Sequence, residues 1–419
     1  MKQSWILKAF ASSVLVLLLF SCAGLEFGSG PATGSAARAS KPDEPGPERS
    51  KSEPGMPKPA EALPSVPSIN ETDLEKLRAL RFVNAPLAPV PPGPGVGLVS
   101  PQLSKAQGEA LGALFKAAYV EARYRGVEIQ GALGADWVHP WPRSQPVVYV
   151  QNWKGVGGEA NSWGLPNLIL AITDGEGKGV FLVKPPLLDS YGRGGGLGGA
   201  NGVVGYGAPR GNEYPLNGTI AQRFDLGLLS VDTHGQGTFT PSAPPSSSLI
   251  PPPSVGLFEG PVSAPWSASS ISQAFVYAWK SAVDRNIPPD NPDGPVRYIP
   301  LPATDSGPWK GVYMQTFGDL SWALVLNDGS PSTARGTVST VHSVDGPFMK
   351  ALRYCGAYQI PGAPSPLPSP PSTDLSAEDR PWQGAFALYG PPITDAFLRD
   401  GKIVQRFGAG WMERDAPPW

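Results

Sequence analysis

Gln151-Asn152-Trp153 is the first of four copies of one short pattern, in which an apolar residue precedes a glutamine, a variable residue and an aromatic residue. The other copies are Gln222-Arg223-Phe224, Gln315-Thr316-Phe317 and Gln405-Arg406-Phe407, which follow at intervals of 71, 93 and 90 residues. A motif that returns at long and similar intervals indicates a repeat architecture. Because repeats more often build surfaces than catalytic centres, the pattern favours a binding function.

The two halves of the chain repeat one order of predicted elements: a helix, the motif strand, and an apolar run that ends at Asp-Gly. The apolar positions at helical spacing are Leu111, Leu114, Phe115 and Ala118 in the first half and Ile271, Ala274, Phe275 and Ala278 in the second. The apolar runs, residues 168–172 and 322–326, have the length of buried strands. We therefore expect an α+β fold of tandem degenerate repeats, in which short antiparallel strands pair with helices. Such units could also be arranged radially around a common axis.

Each motif is expected to serve the fold itself. Its aromatic residue should lie in the core, and its glutamine should hydrogen-bond a strand to a neighbouring turn, since buried polar groups are normally satisfied locally.

Composition predicts the domain boundaries. Residues 1–21 are assigned to a signal peptide, and residues 22–100, rich in proline, glycine and charge, to a disordered tether. Within the tether, Leu74, Leu77 and Leu80 predict a short helix over residues 71–82, with Asn70 or Thr72 as its N-cap. A first repeat pair should span 104–240, a proline-rich linker 241–267, and a second repeat pair 268–419.

The N-terminus predicts a membrane anchor. Lys2 and Lys8 surround the start of a mostly apolar run over residues 9–20, which has the length of a signal peptide. The run closes on Leu19-Phe20-Ser21-Cys22, which resembles the bacterial lipobox and implies that Cys22 is acylated. The alternative is an ordinary secretory signal with an incidental cysteine. Ala23 stands where an aspartate can retain lipoproteins at an inner membrane, so an outer-membrane location is favoured.

Charge and cysteine content argue against nucleic-acid binding and against an intramolecular disulfide. The chain has 33 basic and 35 acidic residues, and thus lacks the basic excess that nucleic-acid binding requires. Cys22 and Cys355 are its two cysteines. With Cys22 acylated, no intramolecular disulfide can form, and Cys355 is expected to be a small core residue.

Three turns strengthen the repeat assignment. Leu133-Gly134-Ala135-Asp136, Tyr206-Gly207-Ala208-Pro209 and Tyr389-Gly390-Pro391-Pro392 each place a glycine 15 to 17 residues before a motif glutamine. The third unit offers Ile287-Pro288-Pro289-Asp290 at this point. Together, turns and motifs resemble LGFP repeats of bacterial cell-envelope proteins. The resemblance implies a non-catalytic module that binds cell-wall glycan or holds its protein at the wall.

The densest aromatic cluster is the candidate ligand site. Trp137, His139 and Trp141 lie in Asp-Trp-Val-His-Pro-Trp. Aromatic rings can stack on the apolar face of a sugar, while neighbouring polar groups bind its hydroxyls. The alternative is ordinary packing of a strand beside a proline turn. The expected ligands are therefore peptidoglycan or a surface polysaccharide.

Catalytic motifs are absent from the sequence. The three histidines are far apart, and neither His-Glu-x-x-His nor Gly-x-Ser-x-Gly occurs. We therefore expect no enzymatic activity, no metal and no cofactor. Two alternatives stay open: a glycan-processing hydrolase, which requires a cleft with two close carboxylates, and a scaffold for another envelope protein, which requires an exposed apolar patch.

Overall fold

Strands of the described residues form four small antiparallel sheets, and each sheet contains one copy of the glutamine motif. The computed structural model describes residues 68–133, 137–140, 147–155, 168–174, 179–198, 205–262, 266–302, 309–329, 341–364, 376 and 378–416. All of them belong to one compact unit, residues 62–419. The signal peptide, Cys22 and the tether up to residue 67 lie outside the described residues.

The helices precede or connect the sheets. They are α1 (Glu71–Arg78), α2 (Lys105–Tyr124), α3 (Leu187–Arg193), α4 (Pro245–Ser248), α5 (Ala268–Asp284), α6 (Gly346–Arg353) and α7 (Arg380–Tyr389). The predicted apolar faces of α2 and α5 are confirmed in their main positions, because Leu111, Phe115, Ile271 and Phe275 are buried.

After β1 (Arg81–Asn84), the strands follow one another in simple meanders. Sheet 1 contains β2 (Ile129–Ala132), β4 (Val148–Gly155), β5 (Leu168–Asp174) and β6 (Val180–Val183), and β3 (His139–Pro140) pairs with β4. Sheet 2 contains β7 (Tyr214–Leu216), β8 (Thr219–Phe224), β9 (Gly227–Val231) and β10 (Gly237–Pro241). Sheet 3 contains β11 (Arg297–Pro300), β12 (Trp309–Phe317), β13 (Trp322–Gly329) and β14 (Val341–Asp345). Sheet 4 contains β15 (Phe397–Arg399), β16 (Lys402–Arg406), β17 (Gly410–Asp415) and β1. The α+β fold is thus as expected, and a radial arrangement of the sheets stays a prediction.

The motif residues occupy equivalent places in the four sheets. Their strands are β4, β8, β12 and β16, and every motif glutamine and every motif aromatic residue is buried. The glutamines Gln151, Gln222, Gln315 and Gln405 all hydrogen-bond backbone groups outside their own sheet strands. Both structural expectations for the motif are therefore confirmed.

The glutamines of sheets 1 and 3 bind the turn that precedes a helix. Gln151 accepts a hydrogen bond from the N–H of Gly97 at 3.0 Å and donates to the carbonyl of Gly95 at 3.0 Å. Gln315 accepts from the N–H of Gly256 at 2.9 Å and donates to the carbonyl of Ser254 at 2.8 Å.

The glutamines of sheets 2 and 4 bind the last strand of the preceding sheet. Gln222 donates to the carbonyl of Leu182 on β6 at 2.9 Å, and Gln405 donates to the carbonyl of Ser343 on β14 at 2.8 Å. Because the two kinds of contact alternate, the structural period is a pair of sheets. The chain therefore consists of two double-sheet halves.

The predicted linker is wrong for residues 245–258. Gly256 and Gly97 occupy equivalent turns, with φ values of 74° and 73° that favour glycine. A side-chain carbon on Gly256 would lie 2.5 Å from the carbonyl of Ser272 on α5. Helix α4 is also fixed, since Ser246 binds both carboxylate oxygens of Asp284 at 2.9 and 2.7 Å. The prolines here shape a packed turn rather than a flexible connection.

The predicted tether is wrong from residue 71 onward. Asn70 caps α1 as expected, accepting a hydrogen bond from the N–H of Asp73 at 2.8 Å. Leu77, Leu80 and Phe82 are buried in the core under sheet 4. Strand β1 then pairs antiparallel with β17 and supplies the fourth strand of sheet 4, as β10 does for sheet 2. The reason is that this short segment carries enough apolar residues on one side to be buried.

The turn of the third unit lies a few residues later than predicted. Pro292 pairs with the motif residue Phe317, as Pro209 pairs with Phe224 and Pro392 with Phe407. The equivalent turn is therefore at residues 289–292, whereas Ile287 is buried just after α5.

Replacing Gln315 by methionine should destabilise the protein strongly. The substitution keeps the size of the side chain, but it leaves the N–H of Gly256 and the carbonyls of Ser254 and Gly294 without their partner. We expect the free energy of unfolding, measured by urea denaturation, to fall by about 2 to 5 kcal/mol. Gln102→Met, at an exposed position, is the control and should change it by less than about 0.5 kcal/mol. Equal denaturation midpoints for Gln315→Met and wild type would contradict the role of the motif.

Candidate functional site

Trp137 lies on the outside of a short pairing between two segments of the first half. Val138 forms a parallel bridge with Val99, and its N–H donates to the carbonyl of Leu98 at 2.7 Å. Val138 is fully buried. The residues that directly precede the two bridge partners are exposed: Trp137 is 43% exposed and Leu98 is 53% exposed. Because side chains alternate along an extended chain, Trp137 and Leu98 face outward together.

His139 is held beside Trp137. Its Nδ1 atom lies 2.7 Å from the carbonyl oxygen of Trp137, so this nitrogen is the donor. Together with Pro140, His139 forms β3 against β4. We call Leu98, Trp137 and His139 the Trp137 surface. Trp141, the third member of the predicted cluster, lies outside the described residues.

A groove of about 540 Å³ begins at Leu98 and continues along α2. Its rim includes the exposed charged residues Lys105, Glu109 and Lys116. Gly112 lets the turn approach the helix, because a side-chain carbon there would lie 2.7 Å from the carbonyl of Gly97. The groove therefore combines an aliphatic edge at Leu98, the neighbour of Trp137, with ammonium and carboxylate groups, which suits an uncharged polar ligand.

A second pocket, of about 560 Å³, contains two carboxylates in the second half. Asp293 accepts hydrogen bonds from the N–H groups of Asp319 at 2.9 Å and Leu320 at 3.0 Å, one on each carboxylate oxygen. Glu378 forms an ion pair with Arg297 at 3.3 Å and is largely exposed. The carboxylate of Asp293 therefore holds a turn. Within the described residues, no backbone N–H donates a hydrogen bond to the carboxylate of Glu378.

Several strongly perturbed charges lie where elements of the two halves meet. Arg125 ends α2 and forms an ion pair with Glu213, which also pairs with Lys184 at 3.2 Å. Arg285 ends α5 and pairs with Asp395 at 2.8 Å. We call this set, with Glu121 and His342, the central charge cluster.

Burial and neighbouring charges shift several pKa values in the central charge cluster. Burial would raise the pKa of Glu213, but Arg125 and Lys184 outweigh it and lower this pKa to about 2. Burial raises the pKa of Glu121 to about 7, and it lowers the pKa of His342 to about 4. The charged partners are supplied by the chain itself, so the cluster is structural.

Other candidate residues are placed inside the protein. Cys355 is buried, as expected of a core residue, and burial raises the pKa of its thiol to about 12, which opposes a nucleophilic role. The motif glutamines are buried and cannot reach an external ligand. Within the described ranges, no group of acidic, histidine or cysteine side chains has the arrangement of a metal site.

Two comparisons with known proteins bear on the resemblance to LGFP repeats. No model of a known protein family matches the sequence, and no curated protein matches it. The resemblance to LGFP repeats therefore stays a prediction. No helix of the described residues is long and apolar enough to cross a bilayer.

The sequence predicts Trp137 as a site residue, but Leu98 and the groove are not predicted by it. A signal was present, because Val96-Gly97-Leu98 returns as Val255-Gly256-Leu257, and both leucines are exposed. Their pairing with a distant segment could not be read from local spacing.

Glu121→Gln should make the protein more stable at pH 8 and leave it nearly unchanged at pH 4.5. The folded-state pKa of about 7 lies above the ordinary value of 4.5, so the cost of the buried charge appears as pH rises through this window. The neutral amide avoids that cost and can still accept the hydrogen bond that Asn212 donates to Glu121 at 3.1 Å. We expect a gain of up to about 3 kcal/mol at pH 8 by urea denaturation.

The control for this experiment is Glu128→Gln, at an exposed position just after α2. It should leave the pH dependence of stability as in wild type. The interpretation fails if Glu121→Gln and wild type lose stability in parallel between pH 4.5 and 8.

Proposed function

We propose that this protein is a lipid-anchored component of the bacterial envelope that binds cell-wall or surface glycan through the Trp137 surface. The observation that carries the proposal is the exposed Trp137 next to Leu98 at the end of a groove of about 540 Å³. A sugar ring would stack on the indole, and its hydroxyls would bind Lys105 and Glu109 on the rim. The LGFP-like motifs support the same class of ligand.

The anchor is proposed from the sequence alone. Acylation of Cys22 would attach the N-terminus to a membrane, with an outer-membrane location favoured by Ala23. The fold then begins by residue 70, so the tether would span residues 22–69.

Binding is favoured over glycan hydrolysis by the state of the carboxylates. A glycosidase needs two carboxyl groups that face the same bond, one of them able to donate a proton. In the pocket of about 560 Å³, both oxygens of Asp293 are committed to backbone N–H groups. The described lining of the groove that begins at Leu98 contains one acidic residue, Glu109, and not the pair that a glycosidase needs.

A scaffold for another envelope protein is the second candidate. It is favoured by exposed apolar side chains in the segment that follows sheet 2, where Ile250 is 91% exposed and Leu249 and Leu257 are also accessible. Such a patch suits contact with another protein.

Loss of the Trp137 side chain should weaken glycan retention. The full chain carrying Cys22→Ser, to remove the lipid, is mixed with purified peptidoglycan or surface polysaccharide, and the bound fraction is measured by sedimentation. We expect Trp137→Ala to weaken retention at least about tenfold, because the stacking surface is lost. Tyr277→Ala, which removes an aromatic residue that is 38% exposed on α5, should retain wild-type binding.

The same mixtures distinguish the three functions. Retention that depends on Trp137, with no sugar released into the supernatant, supports the binding module. Release of sugar supports the hydrolase. Absence of both retention and release from wild type contradicts glycan binding and directs the search to a protein partner.

Cys22→Ser should move the protein from the membrane fraction to the soluble fraction and abolish incorporation of labelled palmitate. The change removes the acylated thiol, and with it the apolar chain that holds the protein at a bilayer. Cys355→Ala is the matched control and should retain label, because its thiol is buried. A Cys22→Ser protein that remains in the membrane fraction would refute the lipobox assignment.

A further inference from the structure

The second half of the chain contains a counterpart of the Trp137 surface. Val296 forms a parallel bridge with Phe258, as Val138 does with its own partner segment in the first half. Pro295, which directly precedes Val296, therefore occupies the place of Trp137. The two halves thus present different side chains at equivalent positions.

Arg297 occupies the place of His139. Arg297 pairs with Met314 and His139 pairs with Val150, and in each case the partner directly precedes the motif glutamine. The second half therefore has a guanidinium group and a proline where the first half has an imidazole and an indole. Arg297 and Pro295 line the pocket of about 560 Å³ described above, which we call the Arg297 pocket.

Several charges at this pocket are bound within the chain. One terminal nitrogen of Arg297 lies 3.0 Å from the carboxylate of Asp379 and 3.3 Å from that of Glu378. Asp379 also accepts a hydrogen bond from the hydroxyl of Ser376 at 2.7 Å. Both carboxylate oxygens of Asp293 accept hydrogen bonds from backbone N–H groups. Arg297, Asp379 and Asp293 therefore have partners that a ligand would have to displace.

Two other charged groups of the described lining are available to a ligand. Arg353, the last residue of α6, is partly exposed, lies over the ring of Tyr354 and forms no ion pair among the described residues. Glu378 is 84% exposed and shares its nitrogen on Arg297 with a second carboxylate. Because exposed ion pairs contribute little to stability, Glu378 can exchange its partner for a ligand.

The remaining lining suits an aliphatic group. Pro295, Leu320 and Pro381 contribute apolar side chains, and the buried Trp382 lies among them. A volume of about 560 Å³ is typical of sites for small molecules. The pocket therefore combines one available positive charge and one available negative charge with an apolar surface.

We propose that the Arg297 pocket binds a short aliphatic peptide or amino acid, whose carboxylate pairs with Arg353 and whose ammonium group pairs with Glu378. A guanidinium group binds a carboxylate through directed, charge-assisted hydrogen bonds, and an ammonium group pairs with a carboxylate as a compact charge. A simple anion would be repelled by Glu378 and Asp293, and a simple cation by Arg353, whereas a zwitterion satisfies both available charges. The site does not depend on the proposed glycan function.

The test uses leucine and leucyl-leucine as probes. Binding to the full chain carrying Cys22→Ser is measured by titration calorimetry, and at least one probe should bind saturably. The amide and the N-acetyl derivative of that probe each lack one of its two charges. We expect each derivative to bind at least about tenfold more weakly than the probe, because a charge-assisted hydrogen bond is lost.

Two variants assign the two ends of the ligand. Arg353→Gln should bind the free acid no more tightly than the amide, and Glu378→Gln should bind the free amine no more tightly than the acetylated form. Each variant should keep the wild-type preference at the other end of the ligand, which a misfolded protein would not. Arg78→Gln, which removes an exposed charge on α1, is the control and should keep both preferences.

Two results would overturn the proposal. One is the absence of saturable binding of both leucine and leucyl-leucine by the protein with Arg353 and Glu378 intact. The other is a preference for the free acid and the free amine that Arg353→Gln and Glu378→Gln leave unchanged.

Discussion

The fold depends on four buried amides that each hold a distant backbone segment. A buried glutamine carries two donors and an acceptor, so it is stable only where the backbone supplies partners at the right places. Gln315 meets this condition with three bonds, to Gly256, Ser254 and Gly294. Because backbone groups that lose such partners cannot reach water, each amide fixes both its own strand and the segment that it binds.

The alternation of these contacts explains why the chain is built from two halves rather than four equal units. In sheets 1 and 3 the amide fixes the turn before a helix, and in sheets 2 and 4 it joins one sheet to the preceding one. Sheet 2 receives its fourth strand, β10, from the chain that follows directly, whereas sheet 4 receives β1 from the beginning of the fold. The edge that sheet 4 would otherwise expose is thereby covered. Asp73 reinforces this closure through an ion pair with Lys350 at 2.8 Å.

The helices and strands that depend on the spacing of neighbouring apolar residues could be predicted from the sequence. The spacing of Leu111 and Phe115 was sufficient for α2, and the apolar run from Trp322 was sufficient for β13. The tether and the linker were mispredicted because their proline and glycine content indicated disorder, while the distant segments that hold them in place could not be recognised in the sequence. Gly256 is ordered by a glutamine 59 residues further along the chain, and this distance hides the contact from any short window of sequence. The same reason hid Leu98 as the neighbour of Trp137, and Glu213 as the partner of Arg125.

Shifted pKa values often mark active sites, but here their location supports another interpretation. The pKa values of Glu121 and Glu213 shift in opposite directions although both are near Arg125, because burial dominates at Glu121, whereas the ion pairs of Glu213 with Arg125 and Lys184 outweigh burial there. Both residues lie where α2 packs against the start of sheet 2, and Arg285 of the second half is close enough to contribute to the pKa of Glu121. The shifted pKa values therefore result from the packing of elements of the two halves. The group left to meet a ligand is then one that the fold does not cover, the exposed indole of Trp137 at the surface.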